Sequence, residues 1–244
     1  MKKMFLFFNL TIIFNISCFI QLDECNPHLI FDVLKKYLPQ DLVIVEAGAC
    51  DGGDTMRMAH VFKNGFIHSF EPVPQLFQCV LKNTQNLYNV KAYPYALSDK
   101  NGNVDMYIST LDRDPHSPSA SSSLLPPKEH LRYSDVRFNS IITVPGITLD
   151  SWAQYYNVDH IDFMWLDMQG FELNVLKASP RIFKTVKAIF TEVSFVEAYA
   201  GQYLFEDVKA WLENEGFVMI GANFTNPRDP AQWYGDAFFI RLDN

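Results

Sequence analysis

Short apolar runs alternate with segments of helical periodicity from Leu42 onward, and this alternation limits the fold of the 244-residue chain more than any other feature. The apolar runs are rich in β-branched and aromatic residues, which favours strands. Two parallel strands need a long crossover between them, most often a helix, so regular strand–helix alternation indicates βαβ units. The sequence therefore predicts an α/β fold with a mostly parallel sheet and helices on both of its faces.

The predicted elements follow this rhythm over most of the chain. Strands are predicted at 42–47, 66–70, 89–96, 161–166, 186–192, 217–221 and 237–242, and helices at 29–38, 54–62, 75–84, 172–177 and 205–215. The segment 102–109 alternates apolar and polar residues, which predicts a strand at a sheet edge. The Pro-, Ser- and Asp-rich stretch 111–139 is too long for an ordinary connection, so we expect a binding loop or lid there.

Composition and charge limit the classes of function. Apolar residues make up 48% of the chain and charged residues 20%, which is typical of a packed globular protein. We expect one domain over residues 25–244, because no internal repeat or linker interrupts the rhythm. The formal net charge of −8 opposes binding to a phosphate backbone, so no nucleic-acid partner is expected. The four cysteines include no C-x-x-C pair, which predicts unpaired thiols and no zinc site.

The first 24 residues form a distinct leader. Lys2 and Lys3 precede an uncharged stretch rich in Phe, Ile and Leu, residues 4–22, and two acidic residues follow it. This arrangement resembles a signal peptide or a short membrane anchor. An amphipathic helix lying on the domain is the alternative. We expect membrane association or the secretory pathway if the leader functions, and a cytoplasmic location otherwise.

A glycine-bearing turn follows the first predicted strand and has the pattern E-x-G-x-x-D-G. Its residues are Glu46, Gly48, Asp51 and Gly52. Glycines allow a positive φ and close approach of a ligand, and open α/β sheets bind nucleotides at this place. The two acids would repel a pyrophosphate, so the turn favours a phosphate-free cofactor with a cationic amino-acid end. A tight turn with only a structural role is the alternative.

Two further positions complete the predicted cofactor site. Glu71 ends the second strand, about twenty residues past the glycine turn, where an acid can accept hydrogen bonds from both ribose hydroxyls. A solvated acid at a strand end is the alternative. Ser98, which follows the third strand, is predicted to border the adenine, although its surroundings are also typical of an ordinary turn.

The end of the central strand carries the third group of polar residues. Asp167 follows an apolar run and is expected to lie at the mouth of the sheet beside the glycine turn, with Gln169 and Glu172 close behind it. A carboxylate at the position of Glu172 is equally consistent with capping of the following helix. Asp167 and Glu172 alone supply too few oxygen ligands for a metal site, so none is expected.

Six motifs together resemble the FkbM family of methyltransferases, in the order that the family has, from about Leu42 to Leu242. They are residues 46–52, 70–72, 96–99, 121–124, 147–150 and 166–172. The resemblance implies a Rossmann-like class I methyltransferase fold with a seven-stranded sheet, S-adenosylmethionine as cofactor, and O-methylation of a hydroxyl on a glycan or small metabolite. It also implies that Glu46, Gly48, Asp51 and Glu71 line the cofactor site. Many relatives have Glu where this chain has Gln169, so one charge is missing here.

The chemistry needs a group that removes a proton from the acceptor hydroxyl while the hydroxyl oxygen is aligned behind the methyl group. Asp167 is predicted to accept that proton or to orient the hydroxyl. His130, on the stretch predicted as a lid, is a second candidate. The identity of the small-molecule or glycan acceptor leaves no signature in the sequence.

Two other functions remain as alternatives. An exported binding module that kept the fold without catalysis is consistent with the leader. A nicotinamide-dependent oxidoreductase is disfavoured, because the turn after the first strand lacks the G-x-G-x-x-G pattern.

Overall fold

A computed structural model describes residues 20–21, 28–224 and 232–242 of the chain. Its strands are β1 (Ile20–Gln21), β2 (Val43–Ala47), β3 (Phe66–Phe70), β4 (Val90–Tyr93), β5 (Ala96–Leu97), β6 (Gly102–Leu111), β7 (Asp114–Pro118), β8 (Val136–Ile147), β9 (Phe163–Leu166), β10 (Ala188–Ser194), β11 (Phe217–Ala222) and β12 (Tyr234–Arg241). Its helices are α1 (His28–Tyr37), α2 (Gly53–Val61), α3 (Pro74–Thr84), α4 (His130–Tyr133), α5 (Leu149–Tyr156), α6 (Glu172–Lys177), α7 (Pro180–Phe183) and α8 (Phe205–Asn214).

The predicted leader falls almost wholly outside the described residues. Of residues 4–22 only β1 is described, and it pairs in parallel with β11. Within the described ranges, no helix is both long and apolar enough to cross a membrane.

The main sheet has the strand order β1-β11-β12-β10-β9-β2-β3-β4. Its central pairs, such as β2 with β3 and with β9, are parallel, and β12 is antiparallel to both β10 and β11. Without the two-residue β1, the sheet has seven strands and is mostly parallel, as predicted. The carboxyl ends of β2, β3 and β9 therefore meet at one edge, where the order reverses between β2 and β9.

Helices cover both faces of this sheet. Successive residues of β2 point to opposite sides: Ile44 packs with buried residues of α1 and α2, and Val45 packs with those of α5 to α8. Both side chains are 0% exposed, and each such burial stabilises the fold by roughly 1.5–3 kcal/mol. The two apolar layers hold the strand ends rigidly in place.

A second, four-stranded sheet has the order β5-β8-β6-β7, and it corrects one prediction. The segment 102–109 is a strand, as predicted: it lies in β6 and pairs with β8 along its length, whereas β7 pairs with β6 only at Thr110 and Leu111. The stretch 111–139 is not a plain loop, because it contains β7, α4 and the start of β8. Most side chains of β8 are exposed or half-buried, so it lacks the apolar pattern that predicts a strand.

The predicted strand 89–96 is divided between the two sheets. β4 pairs with β3 in the main sheet, whereas β5 pairs with β8 in the second one. Pro94 lies between them, and proline cannot donate a hydrogen bond to a sheet ladder. The chain therefore changes sheets at this point.

Candidate active site

The glycine turn after β2 packs directly onto the backbone that follows β9. The N–H groups of Gly48 and Ala49 donate to the carbonyl oxygen of Phe70 at 3.1 and 3.0 Å. Gly48 has a φ of 88°, and a Cβ atom there would lie 1.8 Å from the carbonyl oxygen of Asp167. Only glycine therefore lets the turn and Asp167 approach this closely.

Glu71 lies at the end of β3 beside this turn and is 4% exposed. Its Oε2 accepts from the N–H of Cys50 and its Oε1 from the N–H of Val73, both at 2.8 Å. Burial raises the pKa of the Glu71 carboxyl to about 7, against the effect of these two hydrogen bonds. Each carboxylate oxygen has a second lone pair, so Glu71 can accept two more hydrogen bonds from a ligand.

Glu71, Gly48 and Asp167 line one pocket of about 540 Å³, a volume that includes its open mouth. The second sheet contributes Met106, and the segment 119–124, which we call the wall segment, contributes several more side chains. The lining residues are Ala47, Gly48, Cys50, Phe70, Glu71, Pro72, Val73, Leu76, Tyr95, Ala96, Leu97, Met106, Ser119, Ala120, Ser122, Leu124, Asp167, Met168 and Phe171.

Asp167 follows β9 and brings the second carboxylate to the pocket. Its Oδ1 accepts from Nε2 of Gln169 at 2.7 Å. Within the described part of the chain its Oδ2 has no hydrogen-bond partner, so it is available to a ligand. Burial raises the pKa of the Asp167 carboxyl, the hydrogen bond from Gln169 opposes this change, and the charge of Asp54 adds to it.

The structure does not bring the side chain of Glu46 to the pocket. Glu46 is 1% exposed and accepts hydrogen bonds from the hydroxyls of Thr55 and Ser69 on the neighbouring elements. Burial raises the pKa of Glu46 to about 7. Its described contacts therefore join β2 to α2 and β3, and a direct contact with a cofactor stays a prediction.

Asp51, Gly52 and Ser98 also lie outside the pocket lining. Asp51 is exposed and accepts from the N–H of Gly53 at 2.9 Å. Gly52 precedes α2 with a φ of 84°, and a Cβ there would approach Cα of Val80 at 3.3 Å. Ser98 is 1% exposed and donates to Asp99 at 3.3 Å. These three residues shape the turns next to the site.

His130 is not on an open lid, which corrects that prediction. It lies in α4, is 1% exposed, and contacts the rings of Phe138, Tyr199 and Trp233 at centroid distances of 5.5, 5.2 and 5.2 Å. Burial lowers the pKa of His130. Because aromatic rings enclose His130 and it does not line the pocket, the structure does not place it as a proton acceptor there.

Two polar residues that the sequence reasoning missed support Asp167. Glu192 on β10 accepts from Nε2 of Gln169 at 3.0 Å, and the hydroxyl of Tyr199 contacts Oε1 of Gln169 at 2.8 Å. A carboxylate near the end of the strand beside β9 could have indicated Glu192, whereas nothing local to Tyr199 indicates its role. Glu172 caps the turn, because its Oε1 accepts from the N–H groups of Met168 and Gly170 at 2.7 and 3.3 Å.

The pocket fits the cofactor that the sequence resemblance implies. At one end the carboxylates of Glu71 and Asp167 supply acceptors for ribose hydroxyls and a negative field for a sulfonium or an ammonium group. Elsewhere Val73, Leu97 and Leu124 provide apolar surface for an adenine ring. None of the residues that line the pocket carries a positive charge, so the donor set does not suit a pyrophosphate.

Comparisons with known proteins agree with this geometry. Residues 46–219 match the family model described as "Methyltransferase FkbM domain". The chain is 33% identical to the 2-O-methyltransferase NoeI of Sinorhizobium fredii, over 66% of this chain and 67% of that protein. It is 26% identical to the methyltransferase sdnD of Sordaria araneosa, over 82% of this chain and 80% of that protein. The fold resembles that of the Methanococcus jannaschii fibrillarin pre-rRNA processing protein, with a TM-score of 0.50 and 14% identity over 88% of this chain and 76% of that chain.

Proposed function

Because the chain belongs to the FkbM family of methyltransferases, we propose that it methylates a hydroxyl of a glycan or small metabolite with Asp167 as the proton acceptor. The fold is that of the Rossmann-like class I methyltransferases, and the methyl donor is S-adenosylmethionine. One observation carries the assignment of roles: Glu71 and Asp167 face one pocket from two strand ends, on either side of Gly48.

Glu71 holds the ribose in this proposal. Its two oxygens are already fixed by backbone N–H groups, so their remaining lone pairs point in set directions. A hydrogen bond to a charged acceptor is worth about 1.5–3 kcal/mol, which is enough to select a ribose over a deoxyribose. This contact places the nucleoside at the carboxyl edge of the sheet, close to Asp167.

Asp167 acts on the acceptor. S-adenosylmethionine, when bound, supplies an electrophilic methyl group on a sulfonium. Oδ2 of Asp167 would take the proton of the acceptor hydroxyl, and Oδ1 would stay bonded to Gln169. The wall segment and Met106 limit water around the reacting atoms, which favours transfer to the alcohol over hydrolysis.

A labelled-donor experiment tests this function. Purified protein is incubated with methyl-labelled S-adenosylmethionine and an extract of glycans and hydroxylated metabolites, and products are identified by mass spectrometry. We expect label on an alcohol oxygen, and we expect Asp167→Asn to slow the transfer by at least about 100-fold with S-adenosylhomocysteine still bound. Full turnover in Asp167→Asn would refute the role of Asp167. Absence of binding to S-adenosylhomocysteine, with binding of NAD(H), would refute the assigned function.

A further inference from the structure

Gln169 has an unusual backbone conformation in the described structure. Its φ of 54° lies in the left-handed region, which costs a residue with a side chain about 1–3 kcal/mol. Its carbonyl oxygen accepts from the hydroxyl of Ser123 at 2.8 Å, and the next residue, Gly170, also has a positive φ, 94°. Such strain persists only where the surrounding structure enforces it, and it places the Gln169 side chain beside Asp167.

Both the nitrogen and the oxygen of the Gln169 carboxamide form hydrogen bonds. Nε2 donates to Oδ1 of Asp167 at 2.7 Å and to Oε2 of Glu192 at 3.0 Å. Oε1 lies 2.8 Å from the hydroxyl of Tyr199, which also lies 2.8 Å from the carbonyl oxygen of Ser121 in the wall segment. The group is 9% exposed. The reversed amide would direct its oxygen at two carboxyl groups, so the network favours the orientation described.

The two carboxylates need this donor because of the sheet register. Thr191 of β10 pairs with Leu166 of β9, so Glu192 and Asp167, the next residue on each strand, are neighbours. Carboxylates at this separation repel each other unless one takes a proton or a donor lies between them. The Gln169 amide is a donor without net charge. A glutamate at this position would instead place a third carboxyl group between the other two.

We propose that Gln169 is a positioning residue for methyl transfer: its amide keeps Oδ1 of Asp167 occupied and leaves Oδ2 free to take the proton of the acceptor hydroxyl. This inference rests on the proposed function. In the step that it supports, the O–H bond of the acceptor breaks, its proton moves to Oδ2 of Asp167, the O–CH3 bond forms, and the sulfur keeps the electron pair of the broken C–S bond. Gln169 does not touch the reacting atoms.

The charge of Asp167 can be measured without a known acceptor. S-adenosylmethionine and S-adenosylhomocysteine differ by a methyl group and by the positive charge on sulfur, so the ratio of their affinities reports the negative charge beside the sulfur. Glu71 also contributes negative charge to this ratio, but among the described residues Gln169 bonds Asp167 and Glu192 and not Glu71, so a change caused by substitution of Gln169 reports the carboxylates that it contacts. The titratable groups of the described residues that influence Asp167 are Cys50, Asp54, Glu71, Glu172, Glu192 and Tyr199, and Asp236 acts through Glu192.

The test is calorimetric titration of both nucleosides into the full-length chain across the pH range in which the chain stays folded. We expect the preference for S-adenosylmethionine to rise with pH in the wild type. In Gln169→Met the midpoint of this rise, the pH at which it is half complete, should move up by about one to two pH units, because the charged Asp167 carboxylate loses a hydrogen bond. Gln169→Glu keeps the shape of the side chain and should also move the midpoint up, because it replaces the donor with another acid.

Gln202→Met is the matched control. Gln202 is also 9% exposed, and it bonds the N–H of Tyr199 at 2.6 Å without contacting either carboxylate. The Gln202→Met variant should have a lower melting temperature but the same pH midpoint as the wild type. An unchanged midpoint in both Gln169 variants, or a wild-type preference that does not vary with pH, would overturn the inference. Failure of the wild type to bind either nucleoside would instead refute the proposed function.

Discussion

Replacement of Glu71 by glutamine tests the pocket most directly, because the structure specifies what each carboxylate oxygen does. One oxygen accepts from the N–H of Cys50 and the other from the N–H of Val73. The carboxamide of Glu71→Gln would keep one acceptor and direct an NH2 group at the other N–H. The variant therefore loses one backbone hydrogen bond, at about 1–3 kcal/mol of folding stability, and one charged contact to a ribose hydroxyl, at about 1.5–3 kcal/mol of binding.

The expected loss of S-adenosylhomocysteine affinity is about 10- to 150-fold, because each 1.4 kcal/mol changes a dissociation constant tenfold. The assay is isothermal titration calorimetry, with circular dichroism to confirm the fold. Asp51→Asn is the control: Asp51 belongs to the same turn and was also predicted to bind the cofactor, but it is exposed and outside the pocket lining. A surface change of this kind should alter affinity by no more than about twofold.

The pH dependence of the same assay adds a second criterion. The pKa of Glu71 is about 7 in the folded protein, so its fully accepting, ionised form becomes populated as pH rises from about 6 to 8. Wild-type affinity for S-adenosylhomocysteine should increase over this range, and the increase should be smaller in Glu71→Gln. Equal losses of affinity in Asp51→Asn and Glu71→Gln, or an unchanged pH dependence in the glutamine variant, would refute the assignment of Glu71 as the ribose acceptor.

Two further predictions concern stability, and a third concerns the role of His130. Gly48→Ala should lower the melting temperature by more than about 4 °C in calorimetry, because the positive φ costs about 1–2 kcal/mol and the added Cβ would clash with Asp167. Gly201→Ala is the control: Gly201 has a φ of 82° with open space around it, so this variant has the backbone strain without the clash and its melting temperature should fall less. Urea unfolding of the cofactor-free protein should show stability falling as pH rises from about 4.5 to 7, because the folded-state pKa values of Glu46, Glu71 and Glu172 are raised from 4.5 to about 7 and outweigh the opposite effect of buried His68, whose pKa is lowered to about 4. A rise in stability across this window would contradict that balance. His130→Phe should retain S-adenosylhomocysteine affinity and methyl transfer, because Nδ1 of His130 has no partner among the described residues and its ring faces other rings; a large loss of transfer would restore His130 as a catalytic candidate.

The sequence could predict which residues of the site follow the strands of the main sheet. Gly48, Glu71 and Asp167 each follow an apolar β-rich run, and the carboxyl ends of neighbouring parallel strands meet by necessity. Sequence position does not state which side chain faces the pocket. Glu46 and Ser98 lie within or beside the same motifs, yet their side chains turn to Thr55 and Asp99.

The second sheet and the support of Asp167 depend on contacts between distant parts of the chain. β5 pairs with β8, and Gln169 contacts Tyr199. Because both contacts join segments that are far apart in sequence, local periodicity cannot predict either of them. The sequence predicts His130 on a lid because its neighbours in sequence are polar and proline-rich. The rings that bury it, Phe138, Tyr199 and Trp233, come from three separate segments.

The hydrogen bond from Ser123 to Gln169 connects the wall segment to the residues that support Asp167. Ser122 and Leu124, its neighbours, face the pocket, whereas Ser123 and the carbonyl of Ser121 bond the residues behind Asp167. A substitution in this segment can therefore change the surroundings of Asp167 without contacting it. In the mechanism that we propose, one short stretch of chain thus affects both the shape of the pocket and the orientation of its carboxylate.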